Sequence, residues 1–149
     1  IRLTEFCLTS GVYFGSQLCC ASSNGVVHIG REKSLKLTKS YLSSIVVFGK
    51  HLVVAGDDNN VGFFLNEQLQ VSKFQVHHAA SITSLAVFEA KWLFSLTQDQ
   101  TVTVFDAQFK LVKKLDCIVS HPTSIQVDAR CVYVGGGSGF DKIEHGLEV

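Results

Sequence analysis

The side chains best suited to chemistry are dispersed, and each fails a spacing test. His77-His78 could open a metal site, but no Cys, His, Asp or Glu follows within the next four residues, where a second ligand would be needed. Asp57-Asp58-Asn59-Asn60 offers oxygen donors for Ca²⁺ yet lacks the D-x-[DN]-x-[DN]-G spacing and the distal Glu. A solvated hairpin turn accounts for it. Gly135-Gly136-Gly137-Ser138-Gly139 invites a phosphate-loop reading, but no Gly-Lys-Ser/Thr ending and no helical pattern follows, so no helix N-terminus would receive an anion. It reads as a turn or flexible end, where glycine tolerates positive φ. The five cysteines, Cys7, Cys19, Cys20, Cys117 and Cys131, make no C-x-x-C pair. Cys19, Cys20 and Cys131 fall inside predicted strands, where apolar burial raises a thiol pKa, the wrong direction for a nucleophile. No G-x-S-x-G elbow is present. The expectation is therefore no catalytic residue, no metal and no cofactor, and reduced, buried thiols in a cytoplasmic or nuclear protein.

The elements that must carry these residues follow from composition and pattern. The chain has 149 residues, 46% hydrophobic and 17% charged, which suits one domain with a substantial core and excludes a disordered tail. Thirteen basic residues balance thirteen acidic ones, and this neutrality disfavours a nucleic-acid binder that works through phosphate contacts. No apolar run reaches the roughly 18 residues of a membrane span, so no membrane partner is expected, and no signal segment opens the chain. There is no methionine, so Ile1 is read as the start of a processed product or a fragment. Leu147-Glu148-Val149 match the opening of a viral 3C protease site, and residues 146–149 are set aside as a possible tag remnant.

Short β-rich runs dominate, with Pro122 the single proline. They are Gln17 to Ala21, Val26 to Ile29, Ile45 to Phe48, Leu52 to Ala55, Val61 to Leu65, Ile82 to Phe88, Trp92 to Leu96, Thr101 to Phe105 and Cys131 to Val134. Polar turns such as Ser23-Asn24-Gly25 and Asp128-Ala129-Arg130 bound them. The order strand, turn, strand, polar turn, strand, strand recurs, and Ala21, Ala55, Ser95 and Gly135 taken as equivalents are 34, 40 and 40 residues apart. A period near 40 built from four strands is the signature of propeller blades. Leu52-Val53-Val54 is apolar at successive positions, as in a strand buried on both faces. A β-sandwich or barrel is the alternative, but it does not predict repeated turns at matched positions. The expected architecture is all-β, with three to four antiparallel four-stranded blades at about residues 6–40, 41–77, 78–120 and 121–145.

The stretch from Leu93 to Asp106 resembles the second half of a WD40 repeat. Asp99 falls in the tight turn, Thr101 to Val104 in the third strand, and Phe105-Asp106 where the family usually carries Trp-Asp. His78 with Ile82, and Ser120-His121 with Ile125, resemble the family's Gly-His openings. The resemblance implies a supporting network of His78, a strand hydroxyl (Ser84 or Ser95) and Asp99, which makes His78, Ser95, Asp99, Phe105 and His121 structural residues. Departures are present: Phe105 lacks the indole donor, Leu96 replaces a glycine, and the earlier units end in Leu65-Asn66 and Ile29-Gly30.

At about 40 residues per blade the chain yields three to four blades, whereas closed propellers have about four to eight. An open arc leaves edge strands and apolar faces uncovered. This predicts part of a larger propeller, completed by further blades, a second chain or another copy. The expected role is a non-catalytic scaffold in a multiprotein complex, because loops on a rigid ring concentrate recognition. Tyr41, His77, Asp58 and Asn59 would share the face that meets a protein partner, with Tyr41 the favoured anchor type; packing of Tyr41 into its own blade is the alternative. A propeller enzyme or small-ligand binder would need titratable groups at the ring centre, where the innermost strands offer only Asp128 nearby.

Overall fold

The computed structural model describes residues 7–58, 61–75 and 80–148. Fifteen strands account for the regular structure in them, and no helix occurs among the described residues. The first sheet holds β1 (Leu8–Phe14), β2 (Gln17–Ser22), β3 (Val26–Ile29) and β4 (Lys33–Lys36). The second holds β5 (Leu42–Phe48), β6 (His51–Gly56), β7 (Val61–Leu65) and β8 (Val71–Gln75). The third holds β9 (Ile82–Phe88), β10 (Trp92–Thr97), β11 (Thr101–Phe105) and β12 (Leu111–Asp116). The last has three strands: β13 (Pro122–Val127), β14 (Cys131–Gly136) and β15 (Gly139–Glu144). Every sheet is an antiparallel meander in chain order.

The four sheets stand side by side as blades 1 to 4, with their first strands innermost: β1 packs beside β5, β5 beside β9, and β9 beside β13. Three apolar clusters lie between consecutive blades. Cys19, Ala21, Val27 and Ile29 meet Leu42, Ile45 and Val54 between blades 1 and 2. Val53, Ala55 and Phe74 meet Ile82, Leu93 and Phe105 between blades 2 and 3. Phe94, Val102 and Val104 meet Ile125, Val132 and Val134 between blades 3 and 4. Successive side chains of a strand point to opposite faces, so Leu52, Val53, Val54 and Ala55, all buried, serve two interfaces at once. That is why the inner-blade sequence is continuously apolar. Among the described residues no comparable packing joins β13 back to β1, so the blades form an open arc.

Three sequence expectations need correction. Gly135-Gly136 belong to β14 and Gly139 opens β15, so the glycine run is a strand end and a two-residue turn leading into a further strand. The true equivalent of Ala21, Ala55 and Gly135 is Leu96, not Ser95, because each pairs with the serine of its first strand: Ser10, Ser44, Ser84 or Ser124. The turn Glu89–Lys91 holds one residue more than Gly49–Lys50, which displaces the count. Cys7 is exposed and Cys20 half-buried, whereas Cys19, Cys117 and Cys131 are buried, and none of the five forms a disulfide.

Candidate interaction face

One end of each described blade carries the entry into its first strand together with the turn between its second and third strands. A single backbone hydrogen bond ties these two segments in all four blades. The N–H of Ser23, Asp57, Gln98 and Gly137 donates to the carbonyl of Cys7, Tyr41, Ser81 and His121, at 2.8, 2.8, 3.0 and 3.2 Å. The close approach explains two glycines. A Cβ at Gly56 would lie 2.0 Å from the Tyr41 carbonyl oxygen, and one at Gly136 would lie 2.4 Å from that of His121.

Where the second strand ends in a hydroxyl instead, the hydroxyl braces the turn. Ser22 Oγ lies against Asn24 Oδ1 and 2.8 Å from the Val26 carbonyl. Thr97 Oγ1 lies against Asp99 Oδ1 and 3.1 Å from the Thr101 carbonyl. A side-chain oxygen two residues on closes each turn, as Asn and Asp do in turn motifs. Asp99 is thus tied to Thr97. Ser95, the hydroxyl that the resemblance suggested, is fully buried and its Oγ has no hydrogen-bond partner among the described residues.

The face these bonds hold presents Tyr41, 44% exposed, beside exposed Asp57 and half-buried Asp58. His121 is exposed at the position equivalent to Tyr41, with φ 50°. His77, His78 and Asn59 lie outside the described residues. Phe105 faces the other way: it is fully buried between blades 2 and 3, edge-to-face with Phe74 at 5.2 Å. Sequence reasoning passed over Ile118, which is 80% exposed in the entry loop of blade 4. That loop is clamped by Gln100 Nε2 donating to the Val119 carbonyl at 2.8 Å, Ser120 N donating to Ser138 Oγ at 2.6 Å, and Ile118 N donating to Asp141 Oδ2 at 3.1 Å. Its signal was absent because Cys117-Ile118-Val119 reads as a continuation of β12.

The opposite end uses a different device. Asn66 Oδ1 accepts from the N–H of Gln68 and Gln70, and Asp106 Oδ1 from the N–H of Gln108 and Lys110. Each bracketed turn holds its apolar residue in the left-handed region, Leu69 at φ 63° and Phe109 at φ 61°, and presses it onto the preceding blade. Phe109 stacks on Phe64 with centroids 4.0 Å apart and meets Phe48 and His51 edge-on. The signal was legible: Asn66-x-Gln68-Leu69 and Asp106-x-Gln108-Phe109 stand 40 residues apart.

Charged chemistry at this end gathers around Asp128. Tyr133 Oη donates to Asp128 Oδ2 at 2.7 Å, and the N–H groups of Arg130 and Cys131 donate to Oδ1 at 2.8 and 2.7 Å. The Tyr133 hydroxyl and the two amides lower the carboxyl to about 2, and the same carboxylate pushes the Tyr133 hydroxyl up to about 12. A carboxylate so stabilised is a poor proton acceptor near neutrality. Buried His145 meets the Asp128 backbone carbonyl, 3.0 Å from Nε2, and not its carboxylate, while its Nδ1 accepts from the Leu147 N–H at 3.1 Å, so the three do not make a relay. Burial raises the Cys19 and Cys117 thiols. Among the described residues no three His, Cys, Asp or Glu side chains gather as a metal site, and no helix is long and apolar enough to cross a membrane.

Comparison with solved structures decides the fold. The computationally designed Ika4 protein matches with a TM-score of 0.82 at 17% identity, over 98% of this chain and 96% of that one. The RRP9 WD40 repeats match at TM-score 0.77 and 19% identity over 91% of this chain. The Swd1 β-propeller domain of Myceliophteria thermophila matches at TM-score 0.74 and 16% identity over 93% of this chain.

This chain has the β-propeller fold. Raptor from Chaetomium thermophilum matches it too, at TM-score 0.77 and 15% identity over 99% of this chain. The propeller spans 16% of the Raptor chain, 53% of the Swd1 chain and 47% of the RRP9 chain, against 96% of the designed protein. No family profile and no curated protein sequence matches it.

Proposed function

We propose that this propeller is a non-catalytic protein-interaction scaffold of a multiprotein complex in the cytoplasm or nucleus, binding a protein partner through the face that carries Tyr41. The observation that carries the reading is the hydrogen bond repeated in all four blades between entry loop and turn. It makes the face rigid before binding, so little ordering is needed when a partner docks. Tyr41 and Ile118 supply exposed apolar surface on that frame, and His121 and Asp57 supply polar contacts around it, the usual division between anchor and rim. We count His77, Asp58 and Asn59 in the same proposed face and His78, Asp99 and His121 in its support, with Ser95 and Phe105 structural as buried residues of blade 3. A ring completed by a second chain or copy is part of the same reading. The alternative, a propeller enzyme or small-ligand binder, would have to use the charged cleft around Asp128, whose carboxylate is a poor proton acceptor near neutrality.

The test is site-specific photo-crosslinking in cell extract from position 41 and, as a control, from position 110 on the opposite end. Discrete protein adducts from 41 that vanish with Asp58→Lys support the reading. Equal labelling from both positions, or a small metabolite raising the melting temperature without any protein adduct, overturns it.

A further inference from the structure

The junction between blades 1 and 2 repeats the one between blades 2 and 3, but with side chains that leave it open. Phe14 and Gln17 close the β1–β2 hairpin as Phe48 and His51 close β5–β6. Ile29 pairs with Cys19 as Phe64 pairs with Val53. Leu69 holds the left-handed turn position that Phe109 holds one blade later, at φ 63° against 61°. Between blades 2 and 3 the space is filled, because Phe109 stacks on Phe64 and meets Phe48 and His51 edge-on. Between blades 1 and 2 only Phe14 keeps a ring, and Gln17, Ile29 and Leu69 cannot make that stack. A cleft of about 630 Å³ remains, with half-buried Phe14, Val47 and Leu69 as its apolar floor. Its size is that of a ligand site.

Polar groups ring the floor. Lys33 pairs with Ile29, so it stands on the face of blade 1 turned to blade 2. Lys50 comes from the β5–β6 turn and Glu67 from the β7–β8 turn. All three are exposed, and neither lysine is ion-paired with Glu67 among the described residues. The side-chain amide of exposed Gln17 has no hydrogen bond among them either, which leaves it both a donor and an acceptor. A second cleft of about 350 Å³ shares Gln17 and Lys33 with the first and adds Arg31 and Glu32. Two clefts that adjoin at shared residues suit an extended chain better than one compact molecule. In the larger of them two cations face a single carboxylate.

We infer that this cleft binds a short extended segment of a partner protein in which one bulky apolar residue is flanked by carboxylates. The apolar residue takes the floor, where the neighbouring junction places its own Phe109. The flanking carboxylates meet Lys33 and Lys50, and Gln17 bonds the segment's backbone. Exposed ion pairs add little affinity, so the buried anchor supplies most of it and the lysines select for acidic neighbours. Glu67 disfavours an unbroken acidic run. The site goes beyond the Tyr41 face and does not depend on it, and Lys110 is not among the lining residues.

The test titrates the 149-residue chain into fluorescein-labelled acidic pentapeptides whose central residue is Leu, Ile, Val, Phe, Tyr or Trp, read by fluorescence anisotropy. At least one of them binds saturably with a dissociation constant below about 100 μM. Alanine at its centre, or amides in place of its acids, weakens it about tenfold. Leu69→Phe restores the neighbouring junction's ring and fills the floor, and it weakens binding at least about tenfold. Lys33→Glu with Lys50→Glu does the same; these change only exposed side chains, and unchanged circular dichroism confirms the fold. Failure of all six peptides up to about 1 mM overturns the inference. So does binding that survives both Leu69→Phe and the lysine pair, or octanoate binding in this cleft where no peptide does, which assigns it to a small carboxylate. Photo-crosslinking from position 41 in the lysine pair keeps the two readings apart: adducts there with peptide binding lost leave both standing, and adducts with no peptide binding in the wild type remove only this one.

Discussion

Replacing Thr103 by Val should make this protein more stable. Thr103 and Ser95 face each other across β10 and β11, and both hydroxyl oxygens are fully buried without a hydrogen-bond partner among the described residues. Burying an unpaired hydroxyl costs about 1–3 kcal/mol. Val keeps the shape of Thr and removes only the polar atom. Blade 2 shows that the site accepts apolar groups, since Val54 and Phe63 occupy the equivalent cross-strand pair. The expected gain is about 1–2 kcal/mol, which for a domain near 150 residues is roughly 2–8 °C in melting temperature. Ser95→Ala should act in the same direction, and the double variant need not be additive because the residues touch. Thr97→Val is the contrast. It removes a hydroxyl that braces Asp99 and the Thr101 carbonyl, and should cost about 1–2 kcal/mol. Urea and thermal unfolding followed by circular dichroism read all four variants. Loss of 1 kcal/mol or more in Thr103→Val would refute the reasoning, because it would mean that the hydroxyl is satisfied and that the pair belongs to a polar network.

Three further outcomes are expected. Asp128 sits at about 2 against an ordinary 3.8, so its contribution to stability is present above about pH 4 and is lost as pH falls towards 2; the loss should be smaller in Tyr133→Phe, measured as melting temperature against pH. Gly56→Ala places a Cβ 2.0 Å from the Tyr41 carbonyl oxygen; it should destabilise by about 1–3 kcal/mol through overpacking and speed exchange of the Asp57 amide, seen by hydrogen exchange. In the native protein Cys7 should alkylate first, and Cys19, Cys117 and Cys131 only after unfolding, as peptide mapping of labelled protein will show.

Much of the blade pattern was legible because it is local. The alternation that runs Leu52, Val53, Val54, Ala55 without a polar break has one cheap solution, a strand buried on both faces, and a recurrence near 40 residues multiplies that solution into blades. The serine that anchors each second strand was legible too: Thr9-Ser10, Ser43-Ser44, Thr83-Ser84 and Thr123-Ser124 recur at intervals of 34, 40 and 40. Register was harder. The extra residue in the Glu89–Lys91 turn puts Leu96, not Ser95, at the position of Ala21 and Ala55, so Ser95 lies in the core and Thr97, the equivalent of Ser22, braces the turn. Spacing alone cannot detect that shift, since both hydroxyls lie in the same strand two residues apart and on the same side. The strand β15 was hidden for a different reason: glycines at 135–139 carry no side-chain pattern, and pairing with β14 alone reveals which of them are extended.

The sequence by itself determined that this is a repeating all-β chain with neutral charge and no concentrated reactive chemistry, because composition and side-chain periodicity act over a few residues at a time. Only the tertiary structure decided which loops are tied together into a face and how consecutive blades are joined. Those depend on contacts between residues 16 to 41 positions apart, such as Ser23 with Cys7 and Leu85 with Ser44, and no local pattern encodes a distance.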